Sequence, residues 1–250
     1  MKHLLTICLT TFGLGSTYTF AHVGPRIWVD VNTEGQIVTL KGPLGGAGAY
    51  PPDQFSPSRV FTRDMGDPSD DDLTENYITE FPGYERTQHP TTSFSGTVYF
   101  DITGEVLYYN PSVPTGFVPV SIQYPTGTPF FRVSSAIGTS YYDSGTGFVS
   151  GGIAFNVGSH GHPQYILQTP SPYTYTNGPD LYDGVYALPL RLRLGSYTPS
   201  DTFYLLLGRN ASSETLGNAE VAMNSLVPEP SFVGLMISAA PFLLRRKVRR

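Results

Sequence analysis

An all-β fold, a single β-sandwich or jelly-roll-like domain, is what this 250-residue sequence predicts, on three observations. Glycine and proline are abundant, at 27 and 22 residues. No window long enough for a helix, between the two chain ends, carries apolar residues at helical spacing. Short segments instead alternate apolar and polar residues, with turn-forming residues between them.

The first such segment is Arg26-Ile27-Trp28-Val29-Asp30-Val31, where Ile27, Val29 and Val31 share one face. Asn32-Thr33-Glu34-Gly35 then turns the chain into Gln36–Leu40, which reads as a β-hairpin. From Lys41 to about Ser95 the pattern dissolves into glycines and prolines, with a short strand predicted around Arg59–Thr62. So long a structureless stretch is unusual in a compact domain, so further edge strands are expected within this surface excursion. Alternation returns at Thr97–Ile102, with Val98, Phe100 and Ile102 inward, and Thr103-Gly104 is expected to turn the chain back into Glu105–Tyr109. Further strands are predicted at Phe117–Gln123, Phe130–Ser134, Phe148–Val157 and Gln164–Gln168. The strongest is Val185–Leu194, with Leu188, Leu190, Leu192 and Leu194 on one face and Arg191 and Arg193 on the other. Pro189 on its outer face points to an edge position or a bulge. Phe203–Leu207 is a continuous apolar run, the mark of a strand covered on both faces. Ser213–Leu226 reads equally as a short helix or a last strand. About ten strands separated by turns make a sandwich or jelly roll.

The ends differ from this domain. Lys2, the apolar stretch Leu4–Leu14 and Thr19-Phe20-Ala21 form a signal peptide over residues 1–21, with signal peptidase expected to cut after Ala21. Cys8 leaves with it, so no cysteine remains in the predicted domain 22–226, and disulfides cannot stabilise it. Setting aside the signal and tail leaves nine basic against nineteen acidic residues, a net charge near −10. Such a surface excludes nucleic acid as a partner.

The last segment, 227–250, has three ordered parts: Pro228-Glu229-Pro230, the nearly uncharged Ser231–Leu244, and the basic Arg245-Arg246-Lys247-Val248-Arg249-Arg250. As a helix, 231–244 would span about 21 Å, short of the roughly 30 Å hydrocarbon core, so it is a marginal transmembrane segment. The basic cluster holds the terminus on the cytoplasmic side and leaves the domain outside. This tail resembles the PEP-CTERM sorting signal of bacterial envelope proteins. The resemblance implies a membrane-embedded exosortase as processing partner, acting near Pro228-Glu229-Pro230. It also implies transient residence in the inner membrane and delivery to the cell surface or extracellular matrix. An ordinary weak C-terminal anchor is the other reading of the same residues.

Candidate chemistry is sparse. His160 and His162 sit two apart after a strand, so both imidazoles face one way and either hold a divalent metal or satisfy backbone groups at a strand end. Together with Gly184-x-Tyr186 they resemble, over a short stretch, histidine-pair and Gly-x-Tyr elements of some bacterial surface-anchored β-domains. His22 becomes the first residue after signal cleavage, and its α-amine and imidazole are the start of a copper site that His160 or His162 would complete. Asp64, Asp67, Asp70, Asp71 and Asp72 crowd one loop and suit calcium or simple solvation. Asp143-Ser144-Gly145 has no second copy to form an acid dyad and reads as a turn. Tyr108, Tyr109, Tyr141, Tyr142, Tyr173 and Tyr175 either stack on sugars of an extracellular polysaccharide or cap the core. Asn210-Ala211-Ser212 matches a glycosylation sequon. No nucleophile elbow or phosphate loop is present, so the expectation is an exported, non-catalytic surface or matrix protein. A metal- or carbohydrate-binding module is the alternative, with zinc, copper or calcium as the candidate ions.

Overall fold

Alternating apolar residues turn one face of the first strand inward, and the fold is built out from there. The structure is a computed structural model, and it describes residues 26–44, 50–65, 77–79, 82–124, 130–134, 140–143, 150–168 and 183–227. In chain order the strands are β1 (Arg26–Val31), β2 (Ile37–Lys41), β3 (Ser56–Pro57), β4 (Val60–Asp64), β5 (Tyr77–Thr79), β6 (Gly83–Arg86), β7 (Thr97–Ile102) and β8 (Leu107–Tyr109). They continue as β9 (Phe117–Pro119), β10 (Phe130–Ser134), β11 (Ser140–Asp143), β12 (Ser150–Asn156), β13 (Gln164–Gln168), β14 (Gly184–Arg193) and β15 (Phe203–Arg209). One helical turn, α1 (Val120–Gln123), follows β9, and a longer helix, α2 (Ser213–Leu226), follows β15. The fold class is all-β.

The strands form three sheets, in the orders β3-β2-β1-β6, β11-β10-β13-β5 and β12-β7-β14-β15-β4. Most pairings are antiparallel; β1 with β6 and β15 with β4 are parallel. All three sheets contribute to one apolar cluster: Val29 and Val31 from β1, Phe131 and Val133 from β10, Leu167 from β13, and Phe100, Leu190 and Leu205 from the large sheet. Each such side chain adds roughly 1.5–3 kcal/mol on burial, which makes this cluster the main source of stability in a domain without disulfides. Tyr165 donates a hydrogen bond to the Tyr84 hydroxyl at 3.0 Å, which joins β13 to β6 inside the core. Burial pushes both hydroxyls well above the usual tyrosine range.

The predicted β1–β2 hairpin is present, with Val31 opposite Ile37. Its outer face is buried as well, because the Gly/Pro-rich excursion folds over it. Trp28 packs edge-on against Tyr50 and Phe55, and its indole donates to the Pro43 carbonyl. The Asp30 carboxylate accepts from the backbone N–H and hydroxyl of Thr91. The excursion also holds β3 to β6, the edge strands expected there. Ser213–Leu226 is helical: the Ser212 hydroxyl accepts from the Thr215 N–H at 3.1 Å, and Ala219 and Met223 bury against Val60, Val185, Ala187 and Leu206. Phe203–Leu207 is covered on both faces as its sequence implied, with Leu206 under α2 and Leu205 and Leu207 in the main core.

Three expectations are corrected. Thr103-Gly104 does not fold the chain back, since β7 and β8 run in series along β14. Ile102 faces Leu190 and Leu107 faces Ala187, so the longer stretch 103–106 loops out and sends Val106 into the core. Of the edge position or bulge expected at Pro189, the edge is excluded, because β14 is central, and an interruption of the ladder is what is found. Its carbonyl accepts from the Thr103 N–H at 3.0 Å, at the break between β7 and β8. A strand residue turns its N and C=O to the same edge, so the missing N–H falls where the ladder is already interrupted. Finally, Phe117–Gln123 is strand only to Pro119, then one turn of helix.

Candidate functional site

His160 and His162 follow β12 on a segment that bridges two sheets. The Tyr84 N–H donates to the Gly161 carbonyl at 2.8 Å, and the Gly161 N–H donates back to the Tyr84 carbonyl at 2.9 Å. This ties the segment to β6. Its other side lies on β12 so closely that a Cβ on Gly161 would sit 1.8 Å from the Ala154 carbonyl oxygen. Only glycine fits there. With Gly161 clamped between two strands, the flanking histidines come to the same side, their rings 5.1 Å apart and nearly perpendicular at 87°. His160 is exposed and His162 half-buried.

The surroundings of His162 come from β1 and β6. In the parallel register Arg26 lies opposite Gly83, and a Cβ on Gly83 would be 2.8 Å from the His162 ring. Two residues on, Glu85 pairs with the buried Arg26 guanidinium at 2.9 Å. Burial pushes the Glu85 carboxyl above the usual range, opposed by the positive charges of Arg26 and His162. The sequence pointed to the two histidines through their i, i+2 spacing. It held no signal for Arg26 and Glu85, which arrive from strands far along the chain.

Two imidazoles and one carboxylate already committed to an arginine do not make a full ligand set. Among the described residues no group of three or more histidine, cysteine, aspartate or glutamate side chains is arranged to hold a metal. His22 lies outside the described residues; the described chain begins four residues later, at Arg26, beside Gly83 and the histidine pair.

The other candidates divide. Asp64 ends β4, whereas Asp67, Asp70, Asp71 and Asp72 lie outside the described residues. Tyr108 packs edge-on against Tyr124 and Tyr186, and Tyr109 lies tilted against Phe117, so this pair caps the core. Burial raises the Tyr124 and Tyr186 hydroxyls well above the ordinary tyrosine value. Tyr141 and Tyr142 lie in β11; Tyr173 and Tyr175 fall outside the described residues. Asp143 closes β11, and Ser144 and Gly145 are outside as well. Asn210, at φ 45°, donates its side-chain amide to Asp183 just before the α2 cap, a structural use of the sequon asparagine. Among the described residues no helix is long and apolar enough to cross a membrane. Pro228, Glu229, Pro230, Arg245, Arg246 and the segment 231–244 all fall outside them.

No family model matches this chain, and no curated protein matches it.

Proposed function

We propose that this chain is an exported, non-catalytic β-sandwich protein of the cell surface or extracellular matrix, sorted through its C-terminal tail by an exosortase-type enzyme. The observation that carries the reading is the order of the last residues, Pro-Glu-Pro, a short apolar segment and a terminal arginine cluster. The placement of the packed residues supports it. Val227, at the end of α2, is buried with Met223 and Phe117, and the Pro-Glu-Pro motif follows at once. Processing there would remove none of the described core. At the other end the buried Arg26 begins β1, so cleavage after Ala21 would leave a lead of His22-Val23-Gly24-Pro25 and an intact first strand. All three sheets bury side chains in one core, which supports a self-contained all-β domain as the exported unit.

Cell fractionation tests the sorting. Replacing Pro228, Glu229 and Pro230 together by alanine is expected to hold the protein in the inner membrane, while the parent reaches the surface. An unchanged distribution would remove the sorting reading.

A second reading, a metal-binding surface module, is favoured by the 5.1 Å approach of the two imidazoles on one side of a rigid glycine bridge. Native mass spectra with zinc and copper are expected to show a one-to-one adduct that His160→Ala with His162→Ala abolishes. No adduct in the parent ends this reading.

A further inference from the structure

Among the described residues, α2 covers the outer face of the large sheet over β4, β15 and the first half of β14. Beyond Pro189 the same face continues across β14, β7 and β12 with side chains of another kind. Register aligns them in two cross-strand rows: Arg193, Tyr99 and Ile153 in one, Arg191 and Asp101 in the next. The Asp101 carboxylate is almost fully buried, and it accepts from Arg193 Nε at 2.6 Å and Nη2 at 3.0 Å. Arg191 Nη2 donates to the same carboxylate at 3.2 Å. The Arg193 guanidinium also lies 5.7 Å from the centre of the Tyr99 ring. Both arginine side chains keep substantial exposure, 43% for Arg191 and 39% for Arg193.

Two guanidiniums around one carboxylate leave an excess positive charge at this spot, on a domain that is otherwise acidic. The two arginines are not equivalent. Arg193 is fixed side-on by two bonds to Asp101, whereas Arg191 is held by one, through Nη2. We infer that this half-face docks an acidic polysaccharide. Arg191 takes a sugar carboxylate and the Tyr99 ring stacks against the neighbouring pyranose. A guanidinium matches a carboxylate in charge and planar geometry. An amphipathic tyrosine ring offers an apolar face to sugar C–H groups and a hydroxyl to water. A row of side chains across paired strands sets contacts side by side, which an extended sugar chain can follow. The acidic remainder of the domain disfavours a polyanion elsewhere, which confines binding to this spot. The inference deepens the surface or matrix reading by naming the class of partner, and it rests on that reading only for its biological setting.

The test is titration calorimetry of the full chain, purified in mild detergent, with polygalacturonate, using neutral dextran as the control polymer. Saturable binding to polygalacturonate and none to dextran is expected, with affinity falling as salt is raised. Arg191→Gln and Tyr99→Ala should each weaken it about tenfold while circular dichroism stays that of the parent. Neutralising the tail residues Arg245 and Arg246 should leave it unchanged. Absence of saturable binding, equal affinity in both variants, or loss on neutralising the tail arginines would each overturn the inference. The measurement is made on purified protein, so failure of sorting in cells would not affect it, and its own failure would leave sorting intact.

Discussion

The two halves of the outer face of the large sheet are made by one strand and end up opposite in character. Along β14 the outward positions read Val185, Ala187, Pro189, Arg191 and Arg193, while the inward ones are apolar throughout. Where the outward residues are small and apolar, α2 lies on them and Met223 and Ala219 close the contact. Where they are arginines, no helix among the described residues lies on them, and the sheet keeps a half-exposed row only partly neutralised by one carboxylate from β7. The change falls at Pro189, the point at which the neighbouring strand passes from β8 to β7. One alternating strand thus specifies a sealed half that contributes stability and a charged half whose arginines stay partly exposed.

The largest expected effect concerns what both halves share, the core behind them. Tyr84, Tyr165 and Tyr186 are buried, and their folded pKa values are raised above the unfolded value of about 10. The folded state therefore keeps protons that the unfolded state releases. Stability is unaffected below about pH 10 and falls above it, by about 1.4 kcal/mol per pH unit for each tyrosine still protonated in the fold. Absorbance at 295 nm and circular dichroism recorded together should show these rings ionising only as the protein unfolds.

Next is the sealed half. Met223→Ala should lower unfolding free energy by about 2–5 kcal/mol in urea titrations, because it opens a void under α2. On the charged half, Asp101→Asn leaves two guanidiniums facing each other without their carboxylate. Their half exposure lets water screen the loss, so the expected cost is about 1–3 kcal/mol by the same titration. Ser212→Ala removes the cap of α2 and should cost about 1 kcal/mol, with reduced helical circular dichroism. Arg191→Gln, holding one bond at the surface, should change stability by no more than about 0.5 kcal/mol while it weakens the binding proposed for this face. Similar losses from Met223→Ala and Arg191→Gln would erase the distinction between the two halves.

The sequence made the period-2 elements legible and the long-range ones opaque. β1, β2, β10, β13 and β14 follow from alternation and local turns. β4 could be placed as a strand but not paired, because its parallel partner β15 lies more than a hundred residues on. Thr103-Gly104 carries a local turn signal, and tertiary pairing with β14 overrides it. α2 was ambiguous because only Ala219 and Met223 are buried along it, too few to form a stripe. In the site, the spacing of His160 and His162 predicted a shared side, whereas Glu85, Arg26 and the partnership of Asp101 with Arg191 and Arg193 depend on strand order. Periodicity carries no information about strand order.

The proposal that the packed domain travels without its ends is open to one direct measurement, the intact mass of the protein recovered from the surface and medium of its native cells. The expected species begins at His22 and ends close to Pro228-Glu229-Pro230. A protein found only in the inner membrane or cytoplasm, with its mass still including the arginines through Arg250, would contradict it.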